Sequence, residues 1–249
     1  MNIAAFDLET NGYPGTSVLS ASSIVFDEAG HLLAFFNRFY LPTEPFNRWL
    51  VRVHGLTLER LLALRARRPN GSPYFVEDWP DLMAFWDHWN VKGLVIHNAR
   101  FDMAFLPEVA QLLLPCWCSM RGLTEFCALP GRNRFKPPRL SEAVDAVCCG
   151  PRALSATENI QRAEEAVGDA AAHVSLSDCF QLYRAAARVA ANRPDWMDFK
   201  TIALPFHTPK GRPHPPSASP REDGFTVGLL DLERRLLSLG AAGQGVIED

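Results

Sequence analysis

The order of its apolar runs constrains the fold of this chain more than any other feature of the sequence. Three β-rich runs come first, at residues 3–10, 18–26 and 31–41, and the last two are joined by a segment typical of a hairpin. Strands and helical patterns then alternate: helices are expected near 57–66, 78–90, 98–114, 140–149 and 172–191, and strands at 93–97 and 116–121. This order predicts an α/β fold in which helices pack on both faces of one mixed sheet.

The C-terminal fifth of the chain differs in composition from the rest. Residues 205–224 contain six prolines together with glycines and serines, which is typical of a linker. Leucines then recur at helical spacing, at Leu229, Leu232, Leu236 and Leu239. We therefore predict a domain at 1–192 and a Pro-rich linker with a short amphipathic tail at 193–249. The tail could dock on another protein, fold back on the domain or mediate self-association.

Charge and hydropathy exclude several classes of protein. The net charge of −3 and the pI near 6.2 argue against a protein that coats long nucleic-acid duplexes, which needs a basic excess. No apolar stretch approaches the roughly 18 residues of a membrane span, and the first residues lack the basic region of a signal peptide. We expect a cytoplasmic protein without membrane contact, whose six cysteines are reduced thiols. A structural zinc site at Cys116 and Cys118 is disfavoured, because two further ligands at workable spacing are missing.

Two acidic residues in the first strand indicate a site. Asp7 and Glu9 lie two residues apart, so both side chains leave the sheet on the same face. A carboxylate pair at a central strand is costly unless cations neutralise it, which suggests a divalent-metal site. Alone the pair is a weak signal, since an exposed strand end has the same pattern.

Two further aspartates follow predicted strands or loops at helix starts. Asp102 falls in the first turn after the strand at 93–97, with Asn98 as the expected helix cap. Asp178 falls in the first turn of a helix that Ser175 is expected to cap, and His173 lies on the preceding loop. A carboxylate at a helix start is also favoured by the helix dipole alone, so neither aspartate is decisive by itself.

Together these residues resemble a known family. The matching segments are Phe6-Asp7-Leu8-Glu9-Thr10, His97-Asn98-Ala99-Arg100-Phe101-Asp102, His54-Gly55-Leu56-Thr57, and His173 five residues before Asp178. In this order they resemble the motifs of the DEDDh 3′–5′ exonuclease superfamily, which includes the proofreading epsilon subunit of DNA polymerase III. The resemblance implies a ribonuclease-H-like fold with a five-stranded mixed sheet flanked by helices.

The resemblance also implies a mechanism. Two Mg²⁺ or Mn²⁺ ions would be held by four carboxylates, Asp7, Glu9, Asp102 and Asp178, with Asp7 between the ions. His173 would act as the general base on the attacking water. The residues expected at the terminal nucleotide are Leu8, Thr10, Asn11, His54, Asn98 and Phe101, although Phe101 could equally face the core.

Substrate and partners are less constrained by the sequence. We expect single-stranded or frayed 3′ ends, with DNA favoured over RNA, and a possible polymerase or self-contact through the tail. An RNA 3′-end trimmer would use the same chemistry, because the choice depends on contact with the 2′-hydroxyl. A catalytically idle nucleic-acid-binding module is a third reading, and the complete set of four acids and a histidine argues against it.

Overall fold

One mixed sheet organises the residues that the computed structural model describes, which are 1–67, 71–132, 134–168, 174–211 and 217–244. Its strands are β1 (Asn2–Thr10), β2 (Val18–Asp27), β3 (Leu32–Phe39), β4 (Val91–Ile96), β5 (Cys116–Cys118) and β6 (Ala242–Gln244). Their order in the sheet is β5-β4-β1-β2-β3-β6. The β1–β2 and β2–β3 pairs are antiparallel, whereas β4 is parallel to β1, β5 to β4, and β6 to β3. The predicted α/β class and mixed sheet are confirmed, with one strand more than the five expected.

Helices cover both faces of this sheet. They are α1 (Arg48–His54), α2 (Leu58–Ala66), α3 (Phe75–His88), α4 (Ala99–Met103), α5 (Glu108–Leu113), α6 (Ser119–Gly122), α7 (Thr124–Cys127), α8 (Leu140–Cys148), α9 (Glu158–Val167), α10 (Ser175–Asn192) and α11 (Gly224–Ser238). Helix α10 crosses β1 and β2 on one face, beside α8. On the opposite face, Leu82, Phe85 and Trp86 of α3 pack against apolar side chains of the strands. Among the described residues, none of the helices combines the length and apolar character that a bilayer span requires.

Two predicted elements differ from those observed. The helix expected over 98–114 is divided into α4 and α5, and Pro107 lies at the N-cap of α5. Proline disfavours a helical conformation at the residue before it and lacks the N–H that a continuous helix would use there, which accounts for the break. The strand expected near 116–121 ends at Cys118, and α6 begins at Ser119.

The segment after residue 192 returns to the sheet. Leu229, Leu232 and Leu236 of α11 belong to the same apolar core as α10. Strand β6 then extends the sheet beyond β3. Of the three alternatives for the tail, the described residues show the one in which it folds back on the domain. The division at residue 192 into separate domains stays a prediction.

Candidate active site

The carboxyl end of β1 places Asp7 and Glu9 on the face that α10 covers. Their cross-strand partners on β2 are Ser22 and Ser20, which therefore point to the same face. The alternate residue Phe6 is buried on the opposite face, where its ring meets that of Trp86 edge-on at 5.1 Å. This packing fixes the rotation of the strand, so both acidic side chains face α10.

Helix α10 brings a third carboxylate to this pair. Asp178 is the fourth residue of the helix, and its neighbours Leu176, Cys179 and Phe180 are fully buried. Carboxylate oxygens of Asp7, Glu9 and Asp178 all lie within 4.8 Å of one another. In the described part of the chain, this is the one group of three or more side chains able to share a metal ion.

The start of α10 differs from its expected form. Val174, rather than Ser175, occupies the cap position, and the Ser177 hydroxyl bonds to the backbone of Val174. The Ser175 hydroxyl is buried and bonded to serines of β2, so it is not available to cap the helix. The capping prediction for Ser175 is therefore wrong, although Asp178 lies in the first turn as expected.

Asp102 of α4 is connected to the site by a hydrogen bond from the backbone of β1. The pairing of β1 with β4 ends at Ala5, which leaves the Leu8 N–H without a strand partner on that side. Asp102 Oδ1 accepts this N–H at 3.2 Å, and its side chain is buried. Burial raises the pKa of Asp102 to about 8, against the opposing effect of the Leu8 hydrogen bond.

The four acids place concentrated negative charge at one position. Burial raises the pKa of Asp7 well above its ordinary value, and the charges of Asp102, Glu9 and Asp178 add to the effect. Burial likewise raises the pKa of Glu9, with Asp178 and Asp102 contributing. Among the described ion pairs, none includes Asp7, Glu9 or Asp102. A set of oxygen ligands that repel one another fits a hard divalent cation.

The predicted general base lies outside the described residues, since His173 falls in the gap at 169–173. Its role stays a prediction that rests on its place in the chain, five residues before Asp178.

The residues expected to contact substrate are distributed around this end of the sheet. Leu8, Thr10, Asn11 and His54 are buried. The Asn11 amide donates to Glu44 Oε1 at 2.8 Å and to the Pro45 carbonyl, so it holds the loop that leads to α1. His54 Nδ1 accepts the Leu56 N–H at 3.0 Å, and burial lowers the pKa of His54 to about 4.

Asn98 and Phe101 lie at the start of α4. Asn98 occupies the N-cap position of α4 as expected, but it takes a left-handed conformation (φ 67°) and its side chain makes no capping hydrogen bond. Asparagine is one of the few residues that adopt this conformation readily. Phe101 is half-buried, and its ring packs against Phe105 at 5.3 Å, as the core-facing alternative expects.

Sequence reasoning did not single out the polar residues beside the acids. Ser20, Ser22 and Asn37 are fully buried on the same face of β2 and β3. The signal is present in the sequence: three serines interrupt the apolar run at 18–26, and Ser20 and Ser22 have the same spacing as Asp7 and Glu9.

Comparison with solved structures identifies the fold. A complex described as 3′-end-specific recognition of a histone mRNA stem-loop by a 3′-exonuclease aligns with a TM-score of 0.53 and 11% identity, over 88% of this chain and 73% of that chain. The chain has the fold of a 3′-exonuclease. The α/β fold that the resemblance implies, a mixed sheet flanked by helices, is thus confirmed.

Two further structures align with lower scores. Exonuclease X in complex with 5′-overhanging duplex DNA gives a TM-score of 0.49 and 16% identity, over 78% of this chain and 96% of that chain. E. coli exonuclease I in complex with a dA16 oligonucleotide gives 0.49 and 12%, over 79% of this chain and 42% of that chain. No protein-family model matches the sequence, and none of the curated proteins compared with it does so either.

Proposed function

We propose that this protein is a metal-dependent 3′–5′ exonuclease that releases nucleoside monophosphates from DNA ends. The observation that carries the proposal is the convergence of Asp7, Glu9 and Asp178 within 4.8 Å, with Asp102 bonded to the same strand. A structural role does not account for this arrangement, because partly buried carboxylates that repel one another destabilise a fold unless cations are bound.

The proposal assigns the four acids to metal binding and His173 to proton transfer. Asp7, Glu9, Asp102 and Asp178 would hold two Mg²⁺ or Mn²⁺ ions, for which all-oxygen ligand sets are suited. Bound ions of this kind activate water and neutralise charge on the phosphate and the leaving oxygen. His173 accepts the proton of the attacking water, since the ordinary pKa of histidine, about 6.5, suits a base at neutral pH.

The terminal nucleotide lies against the carboxyl end of β1 in this proposal. Thr10, Asn11 and His54 are buried, so they contribute backbone groups or the shape of the surface rather than free side chains. Asn98 and Phe101 lie at the start of α4, and the exposed part of the Phe101 ring would contact a base.

RNA is the second candidate substrate. The structure that aligns with a TM-score of 0.53 is described as 3′-end-specific recognition of a histone mRNA stem-loop by a 3′-exonuclease. Hydrolysis of RNA would need the same four acids. The test must therefore include both polymers.

The proposal is tested with 5′-labelled DNA and RNA oligonucleotides of the same sequence, in Mg²⁺, Mn²⁺ or chelator. We expect a ladder of products shortened from the 3′ end, abolished by chelator and by Asp7→Asn. Asp145→Asn, which changes an exposed aspartate of α8, should leave the rate unchanged. His173→Ala should reduce the rate by about 10²–10⁴-fold. If neither polymer is shortened in the presence of metal, the proposed exonuclease activity is wrong.

A further inference from the structure

A row of buried polar side chains crosses the sheet from the acidic site to the C-terminal helix. Asp7 pairs with Ser22 across β1 and β2, and Ser22 pairs with Asn37 across β2 and β3. Cross-strand partners point to the same face, so the three side chains form a line beneath α10. At the far end of this line, Asn37 meets Glu233 of α11.

The hydrogen bonds along the row have a defined direction. The Asn37 amide group donates to Glu233 Oε1, which turns the amide oxygen of Asn37 towards β2. That oxygen accepts from Ser22 Oγ at 2.8 Å. Because the Ser22 proton is used there, Ser22 Oγ accepts from Ser175 Oγ, 2.7 Å away, and Ser175 in turn accepts from Ser20. The carboxylate of Glu233 thus sets the orientation of each group up to the first residue of α10.

Burial makes the row sensitive to the loss of one member. Ser20, Ser22, Ser175 and Asn37 are inaccessible to solvent, and Glu233 is only 2% exposed. A buried donor or acceptor that loses its partner costs about 1–3 kcal/mol. Without Glu233, the Asn37 amide would lose an acceptor and the amide orientation would no longer be fixed.

The row ends at the turn that carries Asp178. Ser175 is the first residue of α10 and Asp178 is the fourth. The thiol of Cys179 donates to the Ser22 carbonyl at 3.0 Å. Ser22 therefore bonds to one residue before Asp178, Ser175, and to one residue after it, Cys179. The position of Asp178 relative to Asp7 therefore depends on the hydrogen bonds of Ser22.

We propose that Glu233 and Asn37 are positioning residues of the carboxylate site, which hold the first turn of α10 at the distance at which Asp178 and Asp7 can share a cation. The inference rests on the proposed metal-dependent function. It assigns the C-terminal helix a part in the site although none of its side chains belongs to the acidic cluster.

The test measures Mn²⁺ binding to the full chain by calorimetry and the Mn²⁺ concentration that gives half-maximal hydrolysis. Glu233→Leu should weaken Mn²⁺ binding about tenfold or more, the effect typical of groups that orient metal ligands. Glu233→Gln keeps an oxygen that can accept from Asn37, so it should bind Mn²⁺ nearly as the unmodified protein does. Ser175→Ala removes one link next to the site and should also weaken binding, which provides a second variant if Glu233→Leu does not fold.

Leu232→Ala provides the matched control, because it creates a cavity under the same helix without touching the row. It should lower the melting temperature but leave the Mn²⁺ affinity unchanged. Equal Mn²⁺ affinity in Glu233→Leu, Ser175→Ala and Leu232→Ala would overturn the inference. Asp7→Asn separates the two proposals. If Asp7→Asn also binds Mn²⁺ normally, the proposed metal site is wrong. If Asp7→Asn is the only variant that loses Mn²⁺ binding, the metal site stands and only the positioning role of Glu233 is wrong.

Discussion

Asp102 shows at the scale of one residue how the fold tolerates a buried acid. Its carboxylate replaces a strand partner for the Leu8 N–H, so it contributes a hydrogen bond to the sheet. The charge itself opposes folding, as burial raises the pKa of Asp102 to about 8. An amide at this position can accept the same N–H without bringing a charge into the core.

Asp102→Asn should therefore stabilise the metal-free protein while it abolishes hydrolysis. We expect a gain of about 0.5–2 kcal/mol in the free energy of unfolding, the range typical of single stabilising substitutions. Urea unfolding at pH 8 in chelator measures the change, with Asp145→Asn as the exposed control. A loss of stability would mean that the carboxylate contributes more through its hydrogen bond than its burial costs.

His54 predicts how stability depends on pH. Burial lowers the pKa of His54 to about 4, below the value of about 6.5 in the unfolded chain. Between these values the unfolded state binds more protons, so stability is lost as the pH falls from about 6.5 towards 4. The loss amounts to at most about 3 kcal/mol, at 1.36 kcal/mol per pKa unit.

Unfolding in urea at intervals between pH 4 and 7 checks this dependence. His54→Leu should flatten the profile in this window, whereas His207→Leu, which replaces an exposed histidine, should not. An unchanged slope in His54→Leu would assign the acid sensitivity to other groups.

The site residues differ in how far the sequence predicts them. Asp7 and Glu9 follow from the period of a strand, and Asp102 and Asp178 from their place after predicted strands or loops. The cap expected at Ser175 was not predictable in this way, because the Ser175 hydroxyl bonds to β2, far away in sequence. Tertiary partners of this kind override local preference.

At the scale of elements, α11 is held by one apolar stripe. Leu236 is fully buried against the core, whereas Val227 on the same helix is 53% exposed. We expect Leu236→Ala to cost about 2–5 kcal/mol, since it leaves a cavity, and Val227→Ala to change stability by less than about 0.5 kcal/mol. Thermal or urea unfolding of the two variants gives the comparison. Equal effects would show that α11 is not docked through Leu236.

The helical spacing of its leucines made α11 predictable, but not its position. Periodicity identifies an apolar face and leaves open what covers it. Helix α11 packs against α9 and α2. The sequence did not predict α9, so this contact could not be foreseen. Strand β6 is only three residues long and has no alternating pattern, so only pairing with β3 identifies it as a strand.

At the scale of the whole molecule, the C-terminal segment closes the sheet on the β3 side. Arg60 of α2 forms an ion pair with Asp223 at 2.7 Å, and its guanidinium lies 4.4 Å from the Phe225 ring centre. These contacts fix the start of α11 before its leucines enter the core. Helix α11 also contacts α2 and α9, and these contacts position it so that β6 pairs in parallel with β3.

A fragment of residues 1–192 tests whether the sequence-based boundary marks an independent domain. Its loss of three buried leucines, at about 1.5–3 kcal/mol each, should lower the free energy of unfolding by about 5 kcal/mol or more. It would also expose the edge of β3, whose sequence is largely apolar, and should associate or aggregate. Urea unfolding and sedimentation measure both effects, with removal of 245–249 alone as the control. A peptide of residues 217–244 added to the fragment should restore part of the stability, because it supplies α11 and β6. A monomeric fragment as stable as the full chain would establish 1–192 as a domain and reduce the C-terminal segment to an appendage.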